Sequence, residues 1–445
     1  MQPSPFTIPN IRLFIAFRVF YNSRFYYPVF TILFLDFGLT IAEFSILNAV
    51  WAATIVLAEV PSGALADIVG RKRLMVFSAL VMIFEVGIIS FMPRTNPAII
   101  FPIFLLNRVL SGLAEAAASG ADEAFAYDSL VSHGNADQWG RVLEILSRFQ
   151  SIGFVVAMSL GAAIYDPVLL TKLCKFLGSD LILTQDITMR FPLYLTFILA
   201  IFAFIATLKM KEIIPESEQA DNTEGKTDIK RAFLLTFKAG AWILQTPFVL
   251  SVFLFGMLFD GVTRMVVTLS SQYYRMIELP ESLFGIVGSV VAMFGLVIPK
   301  IARSIAENRS PGFGLFVTAA LIFTGLFSMS FFWPYAGLIP AFITFSSMSF
   351  TGFFVSFYIN KIAASEQRAT VLSFKGLMYN LSYGLLGVLY ALLLKSKKEG
   401  AVLSQELDNK IFVDTFIWFP GSFVLVFIFL ILVYWVWLRS KSEKL

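Results

Sequence analysis

Long apolar runs alternate with short polar breaks along this chain, and each run is long enough to cross a lipid bilayer. A membrane-spanning helix needs about 20 mostly apolar residues. Such runs fall at 11–37, 44–67, 73–93, 98–130, 139–165 and 190–210, and again at 244–273, 282–302, 312–332, 335–360, 370–394 and 412–438. Between the two sets lies Lys211 to Lys238, the longest polar stretch of the 445 residues. The pattern predicts an all-α integral membrane protein. Its twelve transmembrane helices form two six-helix halves, 1–210 and 244–445, joined by a linker at 211–243. Only 14% of the residues are charged, against about 25% in soluble proteins, so lipid must be the solvent for most of the surface.

Several function classes drop out at once. The single histidine, His133, cannot build a metal cluster, and the single cysteine, Cys174, cannot form an internal disulfide. No metal and no cofactor are expected. No nucleotide-binding loop of the form G-x-x-x-x-G-K-[ST] occurs, which argues against ATP-driven transport, and no nucleophile–base pair or metal cluster at membrane depth points to an enzyme. The net charge of +4 is spread over loops and suggests no nucleic-acid partner. The N-terminus has no basic n-region or small-residue cleavage site. Arg18 and Arg24 lie inside the first run, so it reads as a retained helix.

Orientation follows from the loop cations. With both termini on one side, that side holds 20 Lys and Arg residues and the opposite side 9. The excess places both termini and the linker in the cytoplasm, in a cytoplasmic (inner) membrane. The last outer loop dissents, with Lys395, Lys397 and Lys398 together. The two halves are weakly repeated: a shift of 240 residues places Leu39 on Leu279, Phe44 on Phe284 and Arg24 on Arg264. Transporter folds often carry such repeats, with the site at their interface near the midplane.

The most specific local signal follows the second run. Gly63, Asp67 and Gly70 precede three cations, Arg71 to Arg73, and Pro61 stands just before them. Arg108-Val-Leu-Ser-Gly112 lies in the fourth run, and Arg368-Ala-Thr-Val-Leu-Ser373 opens the eleventh. The first stretch closely resembles the signature loop between helices two and three of the major facilitator superfamily, G-x-L-a-D-r-x-G-r-k, departing at Ile68 where a basic residue is usual. The second resembles that family's R-x-x-x-G motif, and the third a run frequent in its bacterial members. The matching loop of the second half, Lys300 to Arg309, is degenerate. The resemblance implies a secondary transporter working by alternating access. It also implies a conformational latch built from Gly63, Asp67, Gly70, Arg71 and Asp128. In that latch the residue at Asp67 contacts the eleventh helix, and the residue at Arg71 pairs with an acid ending helix four.

Inside the fourth run, Arg108, Gly112, Glu115, Ser119 and Asp122 are spaced by four, three, four and three, which puts them on one helical face. A charge facing lipid costs about 2.5 kcal/mol or more, so this stripe should face a polar interior. Burial and the nearby Arg108 pull the protonation of Glu115 in opposite senses. Glu115, Asp122 and Arg108 are therefore the candidates for proton coupling, with a static ion pair between helices as the alternative. Glu123, off the stripe, could pair with Arg148.

Arg24 and Arg264 lie near mid-span at matching repeat positions and could together bind an anionic group. Some family members that move organic phosphates or carboxylates are similar in having such a pair. Asp260, one turn from Arg264, could take part or simply neutralise it. Arg18, on another face, is expected to be structural. Glu59 and Glu85 are further candidates, Glu85 with a partner on a neighbouring helix. Tyr21, Phe25, Tyr26 and Tyr27 could line a cavity or pack at the interface. Asn360, Lys361, Lys375 and Asn380 are polar without a pattern. Gly153 and Gly161 lack the G-x-x-x-G-P pattern of drug antiporters.

The expected activity is movement of a small, possibly anionic organic solute, coupled to protons, by a monomer in the lipid bilayer. The alternatives are a drug exporter by proton antiport and a non-transporting sensor or scaffold. Topology is directly testable. A reporter active only in the cytoplasm should give signal when fused near Thr223 and none at Lys172; the reverse pattern would overturn the orientation.

Overall fold

The computed structural model describes residues 4–93, 96–119, 121–212, 234, 238, 240–362, 365–398 and 404–438. Every regular element among them is helical. The first half holds α1 (Pro9–Asn22), α2 (Phe30–Asp36), α3 (Ile41–Val69), α4 (Arg71–Phe91), α5 (Pro97–Ala118), α6 (Ala121–Val131), α7 (Trp139–Tyr165), α8 (Pro167–Phe176), α9 (Gln185–Thr188) and α10 (Phe191–Lys209). The second holds α11 (Pro247–Thr268), α12 (Ser270–Met276), α13 (Phe284–Asn308), α14 (Pro311–Met329), α15 (Leu338–Ile362), α16 (Ser365–Lys398), α17 (Gln405–Phe416) and α18 (Trp418–Val433).

Eleven helical segments among the described residues are long and apolar enough to cross a membrane. The remaining expected span, 11–37, is a broken rod: α1, an irregular stretch, a single 3-10 turn at Tyr27–Val29, and then α2. Pro28 accounts for the break. It has no N–H to give, and its ring crowds the carbonyl four residues back, that of Arg24. Broken backbone at membrane depth is tolerated only when its polar groups are satisfied. Here the Phe25 N–H donates to Thr196 Oγ1 of α10 at 3.0 Å.

The fourth expected span is also divided. Ser119 leaves the helical region (φ −56°, ψ 121°), which ends α5 before α6 begins. The stripe from Arg108 to Asp122 therefore does not run down one helical face, because its spacing assumes an unbroken helix.

The two halves meet through α3 against α16 and α7 against α13. Their closest approaches need glycine. A Cβ on Gly285 of α13 would lie 2.0 Å from the Met158 carbonyl oxygen of α7. Within the first half, a Cβ on Gly161 would lie 1.8 Å from the Phe25 carbonyl oxygen, so α7 can press on the break only as glycine. The Thr31 N–H donates to Ser271 Oγ at 3.0 Å, across an offset of 240 residues. A residue that touches its own repeat mate lies near the axis relating the repeats.

Valine at Gly161 or Gly285 should abolish the monodisperse peak in size-exclusion chromatography. Gly295→Ala should keep it, because nothing lies within 4 Å of its Cβ position. Normal behaviour of both valine variants would rule out these close approaches.

Candidate functional site: charges inside the helical bundle

Each sequence-expected charge now has a position. Arg24, in the break of the first span, is buried at 4% exposure and forms an ion pair with Glu85 of α4, which is fully buried. The same guanidinium donates to Tyr26 Oη at 2.9 Å. The structure thus puts a carboxylate where the sequence left room for a ligand, and Arg24 is not the open cation pictured for an anion. On the matching helix, Arg264 Nη2 lies 2.5 Å from Asp260 Oδ2, and its Nη1 donates to Asn380 Oδ1 of α16 at 3.0 Å. Asp260 Oδ2 is buried without an aligned hydrogen bond, so the pair is close but poorly oriented. Arg24 and Arg264 share their repeat position, and each already holds an acid.

Arg18 is tied to Asp122 of α6 at 2.6 Å, with Glu123 at 4.0 Å. Glu123 is therefore not the partner of Arg148, which pairs along its own helix with Glu144 at 3.1 Å. Arg108 is buried. Its Nε donates to Asn107 Oδ1 at 3.2 Å, and its guanidinium lies 5.3 Å from the Phe30 ring and 5.6 Å from the Phe34 ring. It pairs with no carboxylate among the described residues.

Glu115 is exposed although Arg24, Arg18, Glu85 and Asp122 all act on it electrostatically. It therefore faces an opening between helices, not a packed seam. The cations nearest in effect are Arg24 and Arg18 of the first span, not Arg108 as the spacing suggested, because α5 carries Arg108 two turns away. Tyr27, 43% exposed, opens on the same region and feels the charges of Glu115 and Arg24. Glu59 of α3 is within electrostatic reach of Glu115.

Of the implied latch, Arg71 donates to Asp128 of α6 in an ion pair and lies 3.4 Å from the Ala124 carbonyl oxygen. Gly70 has φ +102°, a value suited to glycine, and links α3 directly to α4. Glu212, where the linker begins, accepts from the Lys72 N–H at 3.1 Å. The side chains of Gly63 and Asp67, and most of the run from Arg368 to Ser373, lie outside the described residues, as do Asn360 and Lys361.

The sequence reading missed the closure at the end of the bundle remote from the termini. Arg275, in the last turn of α12, holds Asp36 of the first span in a two-bond fork at 2.9 Å each. It also holds Glu281 at 2.5 Å. Tyr165, closing α7, donates to the same Asp36, and Asp166 Oδ2 accepts from the Ser282 N–H at 3.3 Å. Burial opposes the charge on Arg275. Hydrogen bonding to Asp36 and the attraction of Asp36 and Glu281 outweigh it and raise the pKa above the ordinary arginine value. The repeat shift of 240 was the available signal, because it lands Asp36 one residue from Arg275.

A separate cavity of about 300 Å³ lies in the second half, lined by Phe248, Phe255, Phe259, Phe354, Tyr358 and Trp435 among others. No charged side chain among the described residues lines it.

Two packed helical halves, joined at one end by the Asp36–Arg275 cluster, form a bundle of membrane-spanning helices. The family profile described as Major Facilitator Superfamily matches residues 13–387, and the chain belongs to that superfamily, a family of transporters and not of enzymes. No curated protein matches the chain significantly. Among solved structures, a bacterial homologue of the human lysosomal transporter Spinster, inward-facing and unoccupied, superposes with a TM-score of 0.68. It is 13% identical and is matched over 100% of this chain and 98% of its own. The nucleoside transporter NupG gives 0.66 at 14% identity, over 94% and 98% of the two chains. A D-xylose–proton symporter gives 0.60 at 12% identity, over 93% and 97%.

If the Asp36–Arg275 fork holds this end shut, Arg275→Ala should open it. In detergent-solubilised protein with Cys174→Ser, a cysteine in place of the buried Ser271 should label with a polar maleimide roughly tenfold faster, as expected for a loss of about 1.4 kcal/mol. An unchanged labelling rate would mean that apolar packing alone closes the bundle.

Proposed function

We propose that this major facilitator is a proton-coupled transporter of a small organic solute in the cytoplasmic membrane, with both termini in the cytoplasm. The 1–210 and 244–445 halves rock about the linker at 211–243. The loop cations support that orientation, and on it the closure at Asp36 and Arg275 faces outward.

The observation that carries proton coupling is Glu115. It is a mid-span carboxylate, exposed between helices and bonded to no cation among the described residues. Its neighbours Arg24 and Arg18 each already hold an acid, Glu85 and Asp122. A carboxylate so placed can gain and lose a proton as the opening switches sides, without breaking a buried ion pair. Asp122, bound to Arg18, serves as its structural neighbour, and Arg108 lies farther along α5. The Arg71–Asp128 pair acts with Asp67, Gly63 and Gly70 as the latch on the cytoplasmic side.

The test uses the solute found by thermal-shift screening of the purified protein. In proteoliposomes, Glu115→Gln should abolish accumulation driven by a pH gradient while solute exchange continues, because the alternating conformations remain. Gradient-driven accumulation at the wild-type rate would remove Glu115 from the coupling step.

A further inference from the structure

Glu59, Glu115, Arg108 and Lys375, all within the spans, have no oppositely charged partner among the described residues. Two are acids and two are bases. An unpaired charge at membrane depth costs about 2.5–3.5 kcal/mol on permissive scales, so each needs water, a ligand or other polar and aromatic neighbours, which Arg108 has in Asn107, Phe30 and Phe34.

Two of them stand together at the seam between the halves. Glu59 belongs to α3 and Lys375 to α16, the helices that pack across that seam. Glu59 Oε1 is 3.9 Å from where a Cβ on Gly376 would lie, one residue from Lys375. Even so, the two charges do not form an ion pair, and Glu59 Oε2 is buried without a hydrogen-bond partner. Lys375 Nζ instead lies 5.8 Å from the Tyr379 ring and feels the charges of Asp260 and Arg264. The first-half wall therefore offers acid, with the accessible Tyr27 ring nearby on the Glu115 side. The second-half wall offers base. An acid suits an ammonium group, and a lysine without an acid partner suits a carboxylate or phosphate.

We propose that the substrate is a zwitterion spanning the two halves, with its cationic group at Glu59 and its anionic group at Lys375. This rests on the transport reading above. It replaces the simple anion with a solute carrying both charges, and it leaves Glu115 free for the proton. Such a solute satisfies both walls at once and so links their movement.

The experiment measures thermal stabilisation and Kd on the purified full chain. The probes are amino acids, dipeptides, betaine and glycerophosphocholine, with N-acetyl and carboxamide forms of each amino acid and dipeptide. At least one zwitterion should bind. Where it is an amino acid or dipeptide, each capped form should bind tenfold or more weakly. Lys375→Met should erase the penalty for the carboxamide, and Glu59→Gln the penalty for the acetyl cap. Lys375→Arg, which keeps the charge, should retain wild-type preference and controls for misfolding. Where only betaine or glycerophosphocholine binds, Lys375→Met and Glu59→Gln should each weaken it tenfold or more. Absence of binding by every zwitterion, capped forms binding as tightly as the free one, or unchanged affinity in both variants would overturn the proposal. Gradient-driven accumulation of a purely anionic or neutral solute would overturn it and leave the transport reading standing. A zwitterion that binds without ever being driven by a pH gradient would do the reverse.

Discussion

A charge that faces hydrocarbon without a partner costs several kcal/mol, and the first span of this chain carries two arginines at that depth. Arg24 is paired with Glu85 and Arg18 with Asp122, each tying the first span to another helix of its half. Breaking a fully buried pair costs about 3–5 kcal/mol, so Arg24–Glu85, at 4% and 0% side-chain exposure, fixes the first span against α4. Much else follows from them. The break at Pro28 turns Arg24 toward α4, and the exposed backbone of the break must then be covered. Gly161 permits α7 to cover it, and Thr196 of α10 satisfies its free N–H.

The contacts between the halves are of another kind. Arg275, Asp36 and Glu281 are only partly buried, at 22%, 10% and 19% side-chain exposure. Partly hydrated pairs contribute less, toward the 0–1 kcal/mol of surface pairs. Of the pairs inside the halves, Arg24–Glu85 is buried on both sides, while Arg18 and Arg264 are about as exposed as Arg275, at 26% and 27%. Close approach at Gly285 adds contact to the seam without adding charge.

The remaining charges form a third group. Glu59, Glu115, Arg108 and Lys375 neither lock a half nor close the bundle. They lie on α3, α5 and α16, and of these α3 and α16 pack across the seam. None is paired with an opposite charge among the described residues; Arg108 instead donates to Asn107 beside two phenyl rings, and Lys375 lies near the Tyr379 ring. The region of Glu115 and Tyr27 is exposed although ringed by charged groups.

Local periodicity and chemistry made some features legible in the sequence. Apolar run length located the spans, because the bilayer sets a minimum helix length. The four-residue spacing of Asp260 and Arg264 was enough to see their contact, since residues one turn apart are neighbours on any α-helix. The signature loop carried the superfamily. Wherever the helix was broken, the same rules misled. The stripe from Arg108 to Asp122 is cut at Ser119, and α6 hands Asp122 to Arg18. Glu123 and Arg148 stay apart, the latter bonded along α7. Only tertiary structure decided that Arg24 meets Glu85 61 residues away, or that Asp36 meets Arg275 239 residues away. Sequence spacing specifies neighbours within one continuous helix. Which helix lies alongside, and whether a charge faces an acid, lipid or an open cavity, depends on how the broken spans pack.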